Sequence, residues 1–404
     1  MTAGMLALMQ ISVHEALWPV WFLFLFGCFY LIGLPEGKEE TLTKGMLIGI
    51  IAWFFVQQTI AFGFRPYDYI RYRGLYSGET QNGIFYMTAF CAFTGLWLFL
   101  KKAKAKLFPR FLCFILSAGC VGFQLLTGSR ASFLGIVAAS VLAYMAYDII
   151  ICKSFRHWIL QGFALGACAI VLFPAAYGCV RYLPVILHHP IWFEGEYNAD
   201  TSVHSYDAWD SDRYISFRTV MQQNVGRILQ ILEIELFAEN GQVNFSTPFT
   251  LTAHAAAEGE PGSSPDNPVS SEGTNFMSSV SVRKAIYRYY ATHLNFMGHS
   301  KTASGFYMED GASNVYYGHA HNMFLQIAYD YGIIAGILFL VWNLWCLLRL
   351  ILRKDMTGII WAAFLAAILV YGCAEMAVTT GQITMVLLFL SYSFGMRKIN
   401  SFNN

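Results

Sequence analysis

The chain has 404 residues, of which 56% are hydrophobic, 17% aromatic and only 13% charged. Soluble domains carry about 25% charged residues, so a wholly water-soluble protein is excluded. A formal net charge of +1 offers little to a polyanionic backbone, and no nucleic-acid partner is expected.

From the amino end, residues 1–13 lack a basic leader and are too short to span a bilayer. No cleavable signal peptide is expected, and two readings stay open: the stub of a helix that starts further upstream, or the start of a shorter variant. A hydrocarbon core of roughly 30 Å needs about 20 apolar helical residues. Nine stretches meet or approach this: Trp18–Leu34, Gly45–Phe64, Gly83–Leu100, Phe111–Leu126, Ala131–Ile151, Trp158–Val180, Met323–Leu348, Thr357–Val378 and Gly381–Met396. The last two are separated only by Thr379 and Thr380, which predicts a tight hairpin. The fold class expected is an all-α membrane protein, a polytopic bundle of about nine or ten transmembrane helices.

Basic residues in short loops set the orientation. Lys101, Lys102, Lys104, Lys106 and Arg110 form the densest cluster. If that loop is cytoplasmic, alternation also places inside Lys38 with Lys44, Lys153 with Arg156, Arg349 with Arg353 and Lys354, and Arg397 with Lys398. The amino terminus is then outside and the carboxyl terminus inside.

The outer face receives segment 65–82, the Thr127–Arg130 corner and one large loop. Three regions follow: amino-terminal transmembrane helices over 1–180, an extracytoplasmic and partly helical loop over 181–320, and carboxyl-terminal helices over 321–404. Within the loop, helical spacing of apolar residues predicts an amphipathic helix over Asp212–Phe237. Residues 255–275, rich in Gly, Ser, Pro and Glu, read as a flexible linker. A second helix is predicted over Ser278–Leu294. The nine cysteines sit in or beside apolar stretches without a CxxC pair, so neither a disulfide framework nor a thiolate metal site is expected.

Candidate chemistry gathers on that outer face. Arg130, in Thr127-Gly128-Ser129-Arg130, is an arginine flanked by apolar helix; such a charge is either partnered for function or snorkels to headgroups. Arg283, in Ser281-Val282-Arg283-Lys284, lies near a helix start. There it gains nothing from the dipole but could help seat a phosphate; an ordinary solvated arginine is the other reading. His321, in Gly318-His319-Ala320-His321-Asn322, stands at a membrane boundary, where an imidazole can accept a proton near neutrality. The His-x-His pair invites a zinc reading, but no third ligand stands at a recognisable spacing, and no metal is expected. Arg65, Arg71 and Arg73 are interleaved with Tyr67, Tyr69, Tyr72 and Tyr76, a pattern suited to sugar and phosphate contact or to an interfacial belt. Glu375, near the outer end of the eighth stretch, is an acid in apolar surroundings with an arginine as its expected partner. That pair could be functional or merely structural. P-loop, GxGxxG, HExxH and GxSxG patterns are absent.

Together these groups resemble the O-antigen ligase and polymerase superfamily of bacterial envelope enzymes. His321-Asn322, nine residues and Gly332 are similar to that family's His-Asn-x9-Gly signature. TGSRASFLGI with Arg130 and SVRKAIYRYY with Arg283 resemble its transmembrane and loop arginine elements. GLYSGETQNGIFY resembles more weakly a segment that usually reads Pro-Asn, with Gln81-Asn82 in its place. The resemblance runs from about Arg65 to the carboxyl terminus, and fewer spans precede the loop than the family usually has.

The resemblance implies a glycosyltransferase in the bacterial cytoplasmic membrane, with its active site on the extracytoplasmic face. Its partners would be a polyprenyl-pyrophosphate-linked glycan donor, a glycan acceptor, membrane lipid and other polysaccharide-assembly proteins. His321 would be the general base. Arg130 and Arg283 would stabilise the leaving pyrophosphate, Arg65 and Arg73 would help hold donor or glycan, and His319 and Asn322 would orient His321. Pyrophosphate is already a good leaving group, so no cofactor is expected. Polymerase chemistry and ligase chemistry, the latter with lipid A core, protein or cell wall as acceptor, both stay open, with a slight preference for polymerase because no acceptor-recognition module is visible. A flippase of lipid-linked glycan is the rival from another class; it predicts mid-membrane polar residues and repeated, broken helices. A non-catalytic envelope scaffold is the third reading.

Overall fold

The structure is a computed structural model, and it describes residues 24, 27, 38–65, 67, 71–76, 78–187, 216–221, 279–299, 306–310, 313–378 and 382–397. Of the nine expected stretches, the first lies outside the described residues except at Phe24 and Gly27. Most of the Asp212–Phe237 helix and all of the 255–275 linker lie outside them too.

Among the described residues the regular elements are helices and one hairpin. Helices α1 (Lys38–Phe64), α2 (Glu79–Lys102) and α3 (Leu107–Thr127) are followed by α4 (Arg130–Ala146), which continues as a π-turn through Ile151, and by α5 (His157–Ile186). In the loop region lie a short helix α6 (Phe217–Met221) and α7 (Ser279–Thr292), close to the predicted Ser278–Leu294 helix. An antiparallel hairpin pairs β1 (Phe306–Asp310) with β2 (Ser313–Tyr317). The chain then forms α8 (Met323–Tyr331), α9 (Ile333–Leu352), α10 (Met356–Gly372) and α11 (Ile383–Met396).

Among the described residues six helices are long and apolar enough to cross a membrane: α1 to α5, with α4 counted through its π-turn, and α9. This is the architecture of a multi-pass membrane protein. Helices α10 and α11 are apolar but shorter. Helix α2 is the interior element, 89% buried over its apolar window, against 22% for α1 and 28% for α9. A helix apolar on every side belongs in the middle of a bundle, and one with an unburied apolar surface belongs against lipid. Nearly all of α10 is buried as well.

Between apolar helices in lipid, close approach and polar contacts hold the packing. Gly135 lets α4 approach the backbone of α10 at Ala367. Thr94 and Ser117 share a 2.9 Å hydrogen bond between α2 and α3. Trp361 Nε1 donates to Thr43 Oγ1 at 3.1 Å, tying α10 to α1, and Tyr392 donates to Asn343 Oδ1 at 2.8 Å between α11 and α9.

Two expectations about the carboxyl-terminal helices are corrected. The stretch Met323–Leu348 is not one helix, because Gly332, at φ 95°, separates α8 from α9. Residues 295–299 dock into the break: Ile333 N–H donates to Asn295 O at 3.0 Å and His299 N–H to Tyr329 O at 2.9 Å. The backbone groups freed by the break are thereby satisfied. The stretch Thr357–Val378 also stops early, at Gly372, and α11 begins only at Ile383. The connection is therefore longer than a Thr379–Thr380 turn, and Glu375 lies beyond the helix rather than inside it. There its carboxylate can reach polar partners, which an apolar helix interior would deny it.

The basic short loops meet at one end of the bundle. Lys102 Nζ lies 3.6 Å from Glu40, Arg353 binds Glu39 and Asp355, and Arg397 Nη1 lies 3.1 Å from Glu39. The opposite end carries the site.

Candidate functional site

At that opposite end, α10 finishes with carbonyls that lack helical partners. Two side chains from elsewhere meet them. Asn322 Nδ2 donates to Cys373 O at 2.9 Å, and Arg283 Nη1 donates to Ala374 O at 3.3 Å. A guanidinium at a helix carboxyl end is favoured by the dipole. Asn322 also caps α8, its Oδ1 accepting from Phe324 N–H and Leu325 N–H at 3.0 Å each. One asparagine thus starts α8 and closes α10, which sets His321 against the residue that follows.

That residue region holds Glu375. Its Oε1 lies 2.6 Å from Arg283 Nη2 and its Oε2 3.0 Å from His321 Nδ1. Burial would raise the Glu375 carboxyl, but hydrogen bonds and charge from His321 and Arg283 outweigh it and hold the group below the ordinary carboxylate range. It is an ionised bridge. The arginine partner expected for Glu375 is therefore Arg283, and His321 is a second partner.

His321 is held in the left-handed region at φ 48°, which few non-glycine residues adopt and which costs energy. Tyr287 of α7 donates its hydroxyl to His321 O at 3.2 Å. His321 N–H donates to His319 Nδ1 at 3.3 Å, and the two rings lie 4.1 Å apart. Behind them Ala320 N–H donates to Gln326 Oε1 at 2.6 Å, and Gln326 Nε2 to Asp330 Oδ1 at 2.9 Å. The His319 imidazole is pushed down to about 4, first by desolvation and then by His321; Glu375 pulls it up and Arg283 pushes it down. His319 is still exposed, so water screens part of these effects. Among the described residues no group of three or more His, Cys, Asp and Glu side chains is arranged to hold a metal ion.

The second half of the site is the α3–α4 corner. Gly128 caps α3 at φ 61°. Gln124 Nε2 braces the turn, donating to Ser129 O at 2.9 Å and Thr127 Oγ1 at 3.2 Å. Ser129 and Ser132 hydroxyls share a 2.9 Å bond, and both press on Gly83 of α2, where no side chain would fit. This leaves Arg130 as the first residue of α4. It is exposed, and among the described residues its guanidinium has no hydrogen-bond or ion-pair partner.

Arg71 joins the two halves. Its Nη2 donates to Gly128 O at 2.7 Å, and its side chain lies over Gly128, where a Cβ would stand 2.9 Å from Nε. Desolvation lowers its pKa; the charges of Glu79 and Glu375 raise it, and those of Arg130 and Arg283 lower it. These charges act on one guanidinium from four parts of the chain. The sequence reading gave this segment's role to Arg65 and Arg73, whose recorded contacts are different ones. Arg65 is buried and donates from Nε to Gly74 O at 2.7 Å, while Arg73 pairs with Glu79 at 3.3 Å. Asn82, buried beside them, donates to Tyr72 O at 3.1 Å and holds the segment in place.

The assembly can take up a proton at an imidazole while facing an anion with several guanidinium groups. No family model, curated protein or solved structure matches the chain.

Proposed function

We propose that the chain is a membrane glycosyltransferase of the O-antigen ligase or polymerase type. It moves a glycan from a polyprenyl-pyrophosphate carrier to an acceptor sugar hydroxyl, in the bacterial cytoplasmic membrane, on the extracytoplasmic face. The observation that carries this reading is the His321–Glu375–Arg283 chain, whose Glu375 and Arg283 charges act, together with that of Arg130, on Arg71. In the full molecule we infer about nine or ten spans, with residues 181–320 forming the extracytoplasmic loop between the two groups of helices. The clustering of basic short loops at the other end of the bundle supports that orientation.

In this reaction the acceptor oxygen attacks the anomeric carbon of the donor sugar. Its proton passes to His321, the new glycosidic bond forms, and the bond from that carbon to the phosphate oxygen breaks. The carrier pyrophosphate leaves with the electron pair. General-base help is worth about 10²–10⁴-fold. Arg130 and Arg283 face the charge that builds on the leaving group, and cations aimed at developing charge stabilise it. Arg71 supplies a third guanidinium. Glu375 balances one of these charges, so donor is bound without an uncompensated cluster.

Purified protein in liposomes with labelled carrier-linked glycan tests the reading. Wild type should lengthen or transfer the glycan. His321→Ala should abolish transfer at unchanged abundance and insertion, and Arg130→Lys or Arg283→Lys should restore little, because the bidentate fork is gone. Near-normal transfer by His321→Ala would end the mechanism. Movement of glycan across the bilayer without covalent transfer would favour a flippase instead.

A further inference from the structure

Glu375 does more than neutralise an arginine. We infer that Glu375 is the positioning residue that fixes the tautomer of His321, placing the ring proton on Nδ1 and leaving the lone pair on Nε2 for the acceptor. The catalytic part of this inference rests on the glycosyltransferase reading above; the tautomer part stands on geometry alone.

An ionised carboxylate can only accept hydrogen bonds. Glu375 Oε2 stands 3.0 Å from His321 Nδ1, so a neutral His321 must carry its hydrogen there. The carboxylate cannot rotate away, since its other oxygen is held 2.6 Å from Arg283 Nη2, and that arginine is itself anchored to Ala374 O. The ring's backbone is fixed from both sides, by Tyr287 on the carbonyl and His319 on the N–H. The second of these contacts has a consequence of its own. His319 Nδ1 accepts a hydrogen bond, so a neutral His319 carries its proton on Nε2. The two histidines of the His-x-His pair are therefore held in opposite tautomers. His321 presents an acceptor nitrogen, and His319 presents a donor. A zinc pair would need a free lone pair on each ring, and that of His319 Nδ1 is already taken by His321 N–H; a simple surface pair would need no fixed tautomer at all.

The test uses the full-length protein in lipid nanodiscs with ¹⁵N-labelled histidine. Imidazole nitrogen shifts are recorded at pH 7.5, and His321→Gln assigns the signals. Wild type should show His321 protonated at Nδ1 and not at Nε2. Glu375→Gln, whose amide can present N–H to the ring, should move His321 towards the opposite tautomer. Glu375→Asp should keep the wild-type pattern. In the liposome assay Glu375→Gln should lower kcat about 10²–10⁴-fold with KM changed less than about threefold, and Glu375→Asp should recover part of the loss. A wild-type His321 carrying its proton on Nε2 overturns the inference, as does a pattern unchanged by Glu375→Gln. The wild-type spectrum alone decides the matter if the glutamine variant does not fold. If the tautomer shifts as stated but wild type transfers no glycan, the glycosyltransferase reading falls and the tautomer assignment stands.

Discussion

At the scale of single residues, the informative contrast lies among three arginines within nine positions. Arg65 turns to Gly74 O, Arg73 to Glu79, and Arg71 to Gly128 O beside Arg130. Nothing in their spacing distinguishes them. Hydrogen bonds to charged groups are worth about 1.5–3 kcal/mol, so Arg71→Ala should raise the donor KM roughly 10–100-fold if Arg71 meets the pyrophosphate. Arg71→Lys should recover only part of that. The measurement is donor titration in the liposome assay, with the melting temperature followed alongside. A KM unchanged within about twofold would remove Arg71 from the donor site. Glu375 is the opposite case: an acid in an apolar run stood out as either a functional or a structural group, and its arginine partner was anticipated. Its second contact, to His321, needed two segments 54 residues apart to meet.

At the scale of elements, the glycine break at Gly332 and the early end of α10 decide how the carboxyl-terminal helices present the site. Average hydropathy passes over the break at Gly332, because Met323–Leu348 is predominantly apolar despite Gln326, Asp330 and Asn343. The break at Gly332 is a backbone event: at φ 95° a side chain would be strained, and its Cβ would collide with Phe296 O. Gly298 across from it, at φ 81°, stands in the same relation to Asp330 O. Gly332→Ala should therefore destabilise the protein by more than about 1 kcal/mol, read as a lowered melting temperature in detergent. Gly49, with open space where its Cβ would be, gives the control: Gly49→Ala should leave the melting temperature unchanged or raised. Equal effects at the two positions would contradict the docked break. The end of α10 at Gly372 follows a similar logic. Cys373 O and Ala374 O are capped by Asn322 and Arg283 instead of by further helix, and this frees Glu375 to bridge.

At the scale of the whole molecule, charge separates the two ends. One end gathers Glu39, Arg353, Asp355 and Arg397 into ion pairs, and the other gathers the arginines and His321. Two exposed cysteines mark these ends, Cys152 after the π-turn and Cys373 after α10. In variants that keep one cysteine each, a membrane-impermeant maleimide applied to intact cells should label Cys373. Cys152 should react only after the membrane is permeabilised. Labelling of Cys152 from outside would invert the orientation and place the site on the cytoplasmic face.

The membrane class, most span positions, the side shared by the basic loops and the short motifs around Arg130, Arg283 and His321 were all present in the one-dimensional pattern. The reason is that lipid sorts residues by local polarity, and local polarity is a property of the chain in order. Tertiary structure alone decided that Glu375 links Arg283 to His321, that Arg71 rather than Arg65 or Arg73 stands by Gly128, and that Gly332 divides the mainly apolar stretch Met323–Leu348. Each of these depends on a donor and an acceptor, or two backbones, brought together from distant segments. Hydrogen bonding and steric exclusion act over a few ångströms in space and leave no period in the sequence.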